Sequence, residues 1–261
     1  MVGLGYKDLD DLYYNFSRLP LYHYEEYEEH LTTMGASTYM QDVVLEANSH
    51  HCSIDMSLLN YTKLKWNTLL GKYIDLEEFR TFKKEAKASG KKTITYNFKI
   101  HEYTKPACLI SLVLTRYNHN KPWKEMKVHY RSTEIYKKFA VDLILFNRLV
   151  EELNREANCE IEKITLLIPF LFFRSDFLAE LVDSKYYPRK EFRALAKKGS
   201  LLAKQTMHFY DRYYTKGATL ANYHTIQRKQ KLKARTNSLP NIPIESLSIE
   251  GDLVKKEKKK K

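Results

Sequence analysis

Apolar residues change their spacing along the chain, and each change marks an element. Near the N-terminus, L-D-D-L-Y-Y-N-F has helical spacing, is broken at Pro20 and resumes in an acidic, aromatic run that ends near residue 31. M-G-A-S at 34–37 reads as a turn, 39–47 is short and ambiguous, and 58–70 mixes apolar and basic residues around Trp66. Residues 74–88 predict a helix. Asp75 can cap it, Glu77 and Glu78 suit its positive end, and Lys83, Lys84 and Lys87 suit its negative end. Ser89-Gly90 stops it. T-I-T-Y-N-F-K-I then alternates and is β-branched, which predicts a strand.

The stretch 106–153 has the clearest pattern. A strand over 108–115 is followed by the polar turn Y-N-H-N-K-P-W and a return strand over 126–130, forming a hairpin. From Glu134 onward, apolar residues recur at Ile135, Phe139, Leu143, Phe146, Val150 and Leu153, which is helical spacing. Residues 164–173 are apolar on both faces and predict a buried strand. After Pro188 come a basic helix over 190–203, cut by Gly199, and the aromatic segment H-F-Y-D-R-Y-Y. There is no internal repeat. The pattern predicts an α+β fold in one domain, 1–227, followed by a basic, weakly ordered tail, 228–261.

Composition adds limits. With 261 residues and 43% hydrophobic content, the chain can bury a core and is not a disordered protein. The net charge of +12 is uneven: residues 20–30 are acidic, while 228–233 and the six lysines of 255–261 are basic. That balance favours anionic partners, with the tail either a solvated extension or a nucleic-acid contact. Three widely spaced cysteines, Cys52, Cys108 and Cys159, argue against a disulfide framework and show no zinc spacing. His50, His51 and Cys52 are consecutive, so their side chains diverge, and no metal is expected. The N-terminus lacks the basic and apolar regions of a signal peptide. The apolar run at 164–173 is too short to span a bilayer. A soluble, cytoplasmic protein is the expectation, in a host cytoplasm if the origin is viral.

Residues 79–177 resemble the thymidylate synthase family, including its phage deoxycytidylate hydroxymethylase branch. Four features carry the likeness. Lys91-Lys92 opens a strand where the family has two arginines. Pro106-Ala107-Cys108 opens the next strand as the family's Pro-x-Cys does. Tyr130-Arg131-Ser132 ends the return strand where the family has Gln-Arg-Ser or Met-Arg-Ser. Asp142 stands eleven residues after Arg131, at the family's base-reading position. The resemblance implies a thymidylate-synthase-like mixed sheet flanked by helices, assembled as a homodimer. It implies one-carbon transfer to C5 of a pyrimidine deoxynucleotide, with 5,10-methylenetetrahydrofolate as donor. Cys108 would be the nucleophile at C6, a role that needs a thiolate and a nearby cation such as Arg131. Arg131 and Ser132 would hold the substrate phosphate, and Lys91 and Lys92 the phosphate in the partner subunit. Lysine lacks the guanidinium fork, so that contact would be looser. Asp142 would read the base. Synthases acting on uracil carry Asn here and hydroxymethylases acting on cytosine carry Asp, so dCMP is favoured over dUMP.

The likeness has gaps. The family's sugar-binding His and Tyr fall at Phe172 and Arg174, and Glu134 stands where the family has Asp. The family's catalytic Glu has no clear counterpart, and Glu25, Glu26, Glu28 and Glu29 are candidates by composition alone. A catalytically degenerate member that binds nucleotide or nucleic acid is therefore the rival expectation. An unrelated basic interaction protein is a third.

Overall fold

The computed structural model describes residues 2–22, 32–34, 37–54, 73–98, 108–184 and 187–215. In chain order these form β1 (Val2–Tyr6), α1 (Leu9–Phe16), the single turn α2 (Leu19–Tyr22), β2 (Thr32–Met34) and β3 (Ser37–Ala47). Next come α3 (Leu76–Ala88), β4 (Thr93–Asn97), β5 (Leu109–Thr115), β6 (Trp123–Tyr130) and the short β7 (Thr133–Glu134). A π-helical turn, Ile135–Phe139, leads into α4 (Ala140–Glu156). The 16-residue strand β8 (Cys159–Arg174) follows, then α5 (Ser175–Ala179), α6 (Arg189–Lys197) and α7 (Leu201–Tyr210).

The strands make one mixed sheet in the order β1-β3-β8-β6-β5-β4, with β2 on β3 and β7 on β8. β8 is central. It pairs antiparallel with β3 on one edge and parallel with β6 and β7 on the other. A parallel pair needs a crossover, and α4 supplies it between β6 and β8. The fold is α+β, a mixed sheet flanked by helices.

Alternation gives the sheet two unlike faces. One presents Ile94, Tyr96, Leu112, Leu114, Met126, Val128, Ile164, Leu166 and Leu45, all buried, against helices α1, α3 and α4. The other carries Thr95, Val113, Lys127, Thr165 and Glu46 in one row across the strands, mostly exposed or half-buried.

Pro169 lies within this central strand, a place that normally excludes proline. The pairing accommodates it. On the β3 side the ladder runs from Gln41↔Phe170 to Val43↔Ile168 and skips Asp42, which takes a positive φ of 51°. On the other side it runs from His129↔Leu167 in β6 to Thr133↔Leu171 in β7, skipping 130–132. Arg131 thus falls in a gap between two short strands, opposite a residue that has no N–H to offer.

Several local expectations are corrected. The N-terminal helix ends at Phe16, with Ser17 as its C-cap, rather than at Pro20, because Pro20 sits in the first turn of α2, where its missing N–H costs nothing. The ambiguous stretch 39–47 belongs to an 11-residue strand. β6 and β8 begin earlier than the hydrophobic pattern alone indicates, at Trp123 and Cys159. Gly199 separates α6 from α7 with φ of +113°, which explains the cut in the basic helix.

Lys83 is placed by the sequence pattern among the lysines that suit the negative end of α3. Its task is a tertiary one: it is buried, donating to Glu152 Oε1 at 2.5 Å and Glu156 Oε2 at 2.7 Å, and so pins α3 to α4. Arg116 is also buried. It donates to the carbonyls of Ser89, Lys91 and Lys121 and stacks over Trp123 at 4.1 Å. Truncating one partner of a buried pair strands the other charge, at about 3–5 kcal/mol. Lys83→Ala should therefore lower unfolding stability by roughly that amount in urea titrations, whereas Lys84→Ala, on the exposed side of the same helix, should change it by less than about 0.5 kcal/mol.

Candidate functional site

The site residues come together at one end of β5. Cys108 immediately precedes that strand, and its carbonyl accepts from the Arg131 backbone N–H at 2.8 Å. Leu109 pairs with Tyr130, so the residue before one strand faces the residue after the other. Arg131 is exposed and Ser132 half-buried, just past the end of β6. Asp142 reaches the same place from the third position of α4.

Asp142 is almost completely buried, at 1% exposure. Burial holds its carboxyl well above the usual carboxylate range. Lys138, Tyr130 and Thr133 act in the opposite direction without reversing it. The carboxyl is therefore neutral well past the pH at which an exposed aspartate ionises. Its Oδ2, the Tyr130 hydroxyl and the Thr133 hydroxyl are all buried; the two hydroxyls lie close enough to act on the carboxyl, but none of the three atoms makes a well-formed hydrogen bond with a described residue. Tyr130 is fixed from behind by Phe139, at 6.2 Å between ring centres, and edge-on by Phe146, at 6.1 Å.

The Cys108 thiol is raised too, first by burial and then by the Asp142 carboxylate. Lys138, Arg131 and a hydrogen bond with Tyr73 pull it down. The depressed thiol expected of a nucleophile beside Arg131 is thus not what these groups produce: the cation is present, but burial outweighs it. The two groups are coupled, however. When Asp142 holds its proton, the second-largest upward influence on the thiol disappears.

Glu134 is buried and its Oε1 accepts from the Tyr136 N–H at 2.9 Å, capping the π-helical turn. Phe172 packs against Tyr39, at 5.9 Å, and offers no polar group. Arg174 is clamped by Asp176 through two hydrogen bonds, 3.0 and 2.7 Å, with its guanidinium over Phe177. A sugar hydroxyl has no holder at these two positions.

Lys91 and Lys92 are elsewhere. The Lys92 carbonyl accepts from Arg116 N at the far end of β5, about 27 Å from Cys108 at 3.4 Å per residue. Lys91 pairs with Glu85 at 3.0 Å. No lysine side chain spans that distance, so neither serves the Cys108 site of its own chain. The candidates Glu25, Glu26, Glu28 and Glu29 and the basic tail 228–261 lie outside the described residues. No group of three or more His, Cys, Asp or Glu among the described residues could hold a metal, and none of the described helices is long and apolar enough to cross a membrane.

Sequence reasoning missed Tyr73, Tyr130, Thr133 and Lys138. Tyr130 was within reach: it continues the buried positions Met126 and Val128 of β6, and a phenol in a core needs a hydrogen-bond partner.

No family model matches the chain, and no curated protein matches it.

The raised carboxyl has a testable sign. An aspartate in the unfolded chain titrates near 3.8, and the folded chain keeps its proton above that. Between the two values only the folded state holds the proton, so stability falls as pH rises through that window. Asp142→Asn removes this loss. The variant should melt above the parent at pH 7, with the gap closing as pH approaches 3.8. A gap independent of pH in paired thermal melts would count against the buried neutral carboxyl.

Proposed function

We propose that the chain transfers a one-carbon unit to C5 of a pyrimidine deoxynucleotide, dCMP in the first instance, on a thymidylate-synthase-like fold. The observation that supports this reading is the meeting of Cys108, Arg131 and Asp142. They come from three separate elements and match the family's nucleophile, phosphate holder and base reader. No described residue is assigned to methylenetetrahydrofolate, which would supply the carbon.

The residues have distinct tasks. The Cys108 sulfur adds to C6 of the ring, which makes C5 nucleophilic. It leaves again when the C5 proton has gone and the ring is restored. Arg131, exposed beside it, presents a fork suited to phosphate, with the Ser132 hydroxyl adjacent. When it holds its proton, the buried Asp142 carboxyl both donates and accepts. It can donate to N3 of cytosine while accepting from the exocyclic amine. Protonation of Asp142 removes its repulsion from the thiol, which leaves burial alone opposing Lys138 and Arg131.

Dimerisation belongs to the same reading. The polar sheet face carries Glu125, Lys127, Lys163 and Glu46 in alternating sign around Val113 and Thr165, and Lys163 pairs with Glu46 at 2.7 Å. A mixed-charge face of this kind can complement its own copy across a two-fold axis. Lys91 and Lys92 would then serve the partner's site.

A second reading is favoured by two observations: burial raises the Cys108 thiol, and Phe172 and Arg174 provide no sugar contact. In it the site binds nucleotide without turnover.

Tritium release separates the two. With dCMP tritiated at C5 and methylenetetrahydrofolate present, the enzyme reading expects release that falls to background in Cys108→Ala. Release from neither dCMP nor dUMP eliminates chemistry at C5 and leaves the binding reading. In sedimentation, the parent should be a dimer and Val113→Asp a monomer at micromolar concentration; a monomeric parent removes the proposed assembly.

A further inference from the structure

The base-reading carboxyl does not stand alone, and this matters because a neutral carboxyl is ambivalent. In one orientation it donates to N3 of cytosine and accepts from the amine. Turned over, it accepts from N3–H of uracil and donates to O4. Asp142 by itself therefore cannot choose between the two bases. Something must fix which of its oxygens carries the hydrogen.

Two candidates lie against it. The Tyr130 hydroxyl, at the end of β6, and the Thr133 hydroxyl, in β7, both act on the Asp142 carboxyl. All three residues are at least nine-tenths buried, at 1%, 2% and 1% exposure for Tyr130, Thr133 and Asp142. Three buried polar atoms from three elements, close to one another beside the thiol yet without a well-formed hydrogen bond among the described residues, are unusual in a folded interior, where buried polar groups are nearly always well paired. A tightly packed core would replace such hydroxyls with Phe and Val. Their retention makes sense if a ligand completes the set.

We propose that Tyr130 and Thr133 are specificity-determining residues: their hydroxyls fix how the Asp142 carboxyl is presented to a bound pyrimidine, and so set the preference between cytosine and uracil. The proposal rests on the pyrimidine reading given above. Tyr130 and Thr133 take no part in bond making; they act through Asp142. The aromatic wall of Phe139 and Phe146 holds the phenol in a single place, so its hydroxyl has little freedom to follow a carboxyl that turns over. Thr133 is the second residue past Arg131, which ties base reading to the strand break that carries the phosphate holder.

The test is equilibrium binding of dCMP and dUMP to the full chain by calorimetry, for the parent, Tyr130→Phe and Thr133→Val. Thermal melts accompany each titration. Both substitutions remove a buried hydroxyl that makes no well-formed hydrogen bond, at nearly constant shape, so both proteins should fold and melt close to the parent. The parent should prefer one base, and the ratio of the two dissociation constants should shrink about tenfold or more in Tyr130→Phe, as expected for losing one oriented hydrogen bond to a polar ring edge. Thr133→Val should shift the ratio in the same direction. A purely structural role, including a buried water shared by the three groups, would change the melting temperature and leave the base ratio untouched. An unchanged ratio in both variants, or a parent that binds both bases equally, overturns this proposal while leaving the pyrimidine site in place. A parent that binds neither nucleotide overturns the pyrimidine reading and this proposal together.

Discussion

The structure depends on the double pairing of β8. This one strand takes β3 along one edge and β6 with β7 along the other, and its buried residues Ile164, Leu166, Ile168, Leu171 and Phe173 form the middle of the core. Everything else takes its place from that strand. The parallel partnership with β6 requires a crossover, so α4 must lie across the sheet. The antiparallel hairpin of β5 on β6 then brings Cys108 to the end where α4 begins. Pro169 decides where the pairing must lapse. Because it offers no N–H, the facing strand is free to break there. Arg131 uses its own N–H to hold the Cys108 carbonyl instead. The candidate site is located at an interruption in the sheet's most heavily paired strand.

Burial governs the chemistry of that place. Taking a carboxylate and a thiolate out of water penalises both charged forms, and Coulomb repulsion between them adds to the penalty. The two groups therefore compete for a single negative charge. A neutral Asp142 removes one of the two influences that raise the thiol and leaves burial set against Lys138 and Arg131. The cost of leaving polar atoms unpaired in the same volume is a stability penalty that the surrounding apolar core is large enough to absorb.

Local chemistry was legible in the sequence and long-range coincidence was not. α3 could be read because its cap, Asp75, and its terminal charges act within a few residues of each other; Asp75 does accept from the Glu77 and Glu78 N–H groups. β4 followed from alternation, and β5 with most of β6 from the polar turn that joins them. β3 was hidden because T-Y-M-Q-D-V-V-L-E-A breaks alternation at Asp42, where the ladder skips a rung. Lys83 looked like an ordinary helix-end lysine, since nothing near it in sequence announces Glu152 on another helix. Cys108, Arg131 and Asp142 could be picked out one by one from a family likeness. The convergence of Tyr130 and Thr133 on that carboxyl depends on the register of β6 and β7 along β8, which only three dimensions supply.

The π-helical turn between Glu134 and α4 was written in the spacing all along. Ile135, Phe139 and Leu143 are each four residues apart, before the closer spacing of Phe146, Val150 and Leu153 sets in. A wide turn holds one residue more than an α-helical turn needs. That surplus residue sets the rotational phase of the whole helix behind it. Losing a single residue from 135–139 would let the turn relax to ordinary helix and rotate α4 by about 100°. Asp142 would then leave the cysteine and an aliphatic neighbour would take its place. Length in this short segment is therefore a constraint of its own: an insertion or deletion would alter the site even if Lys138 and Phe139 were both kept.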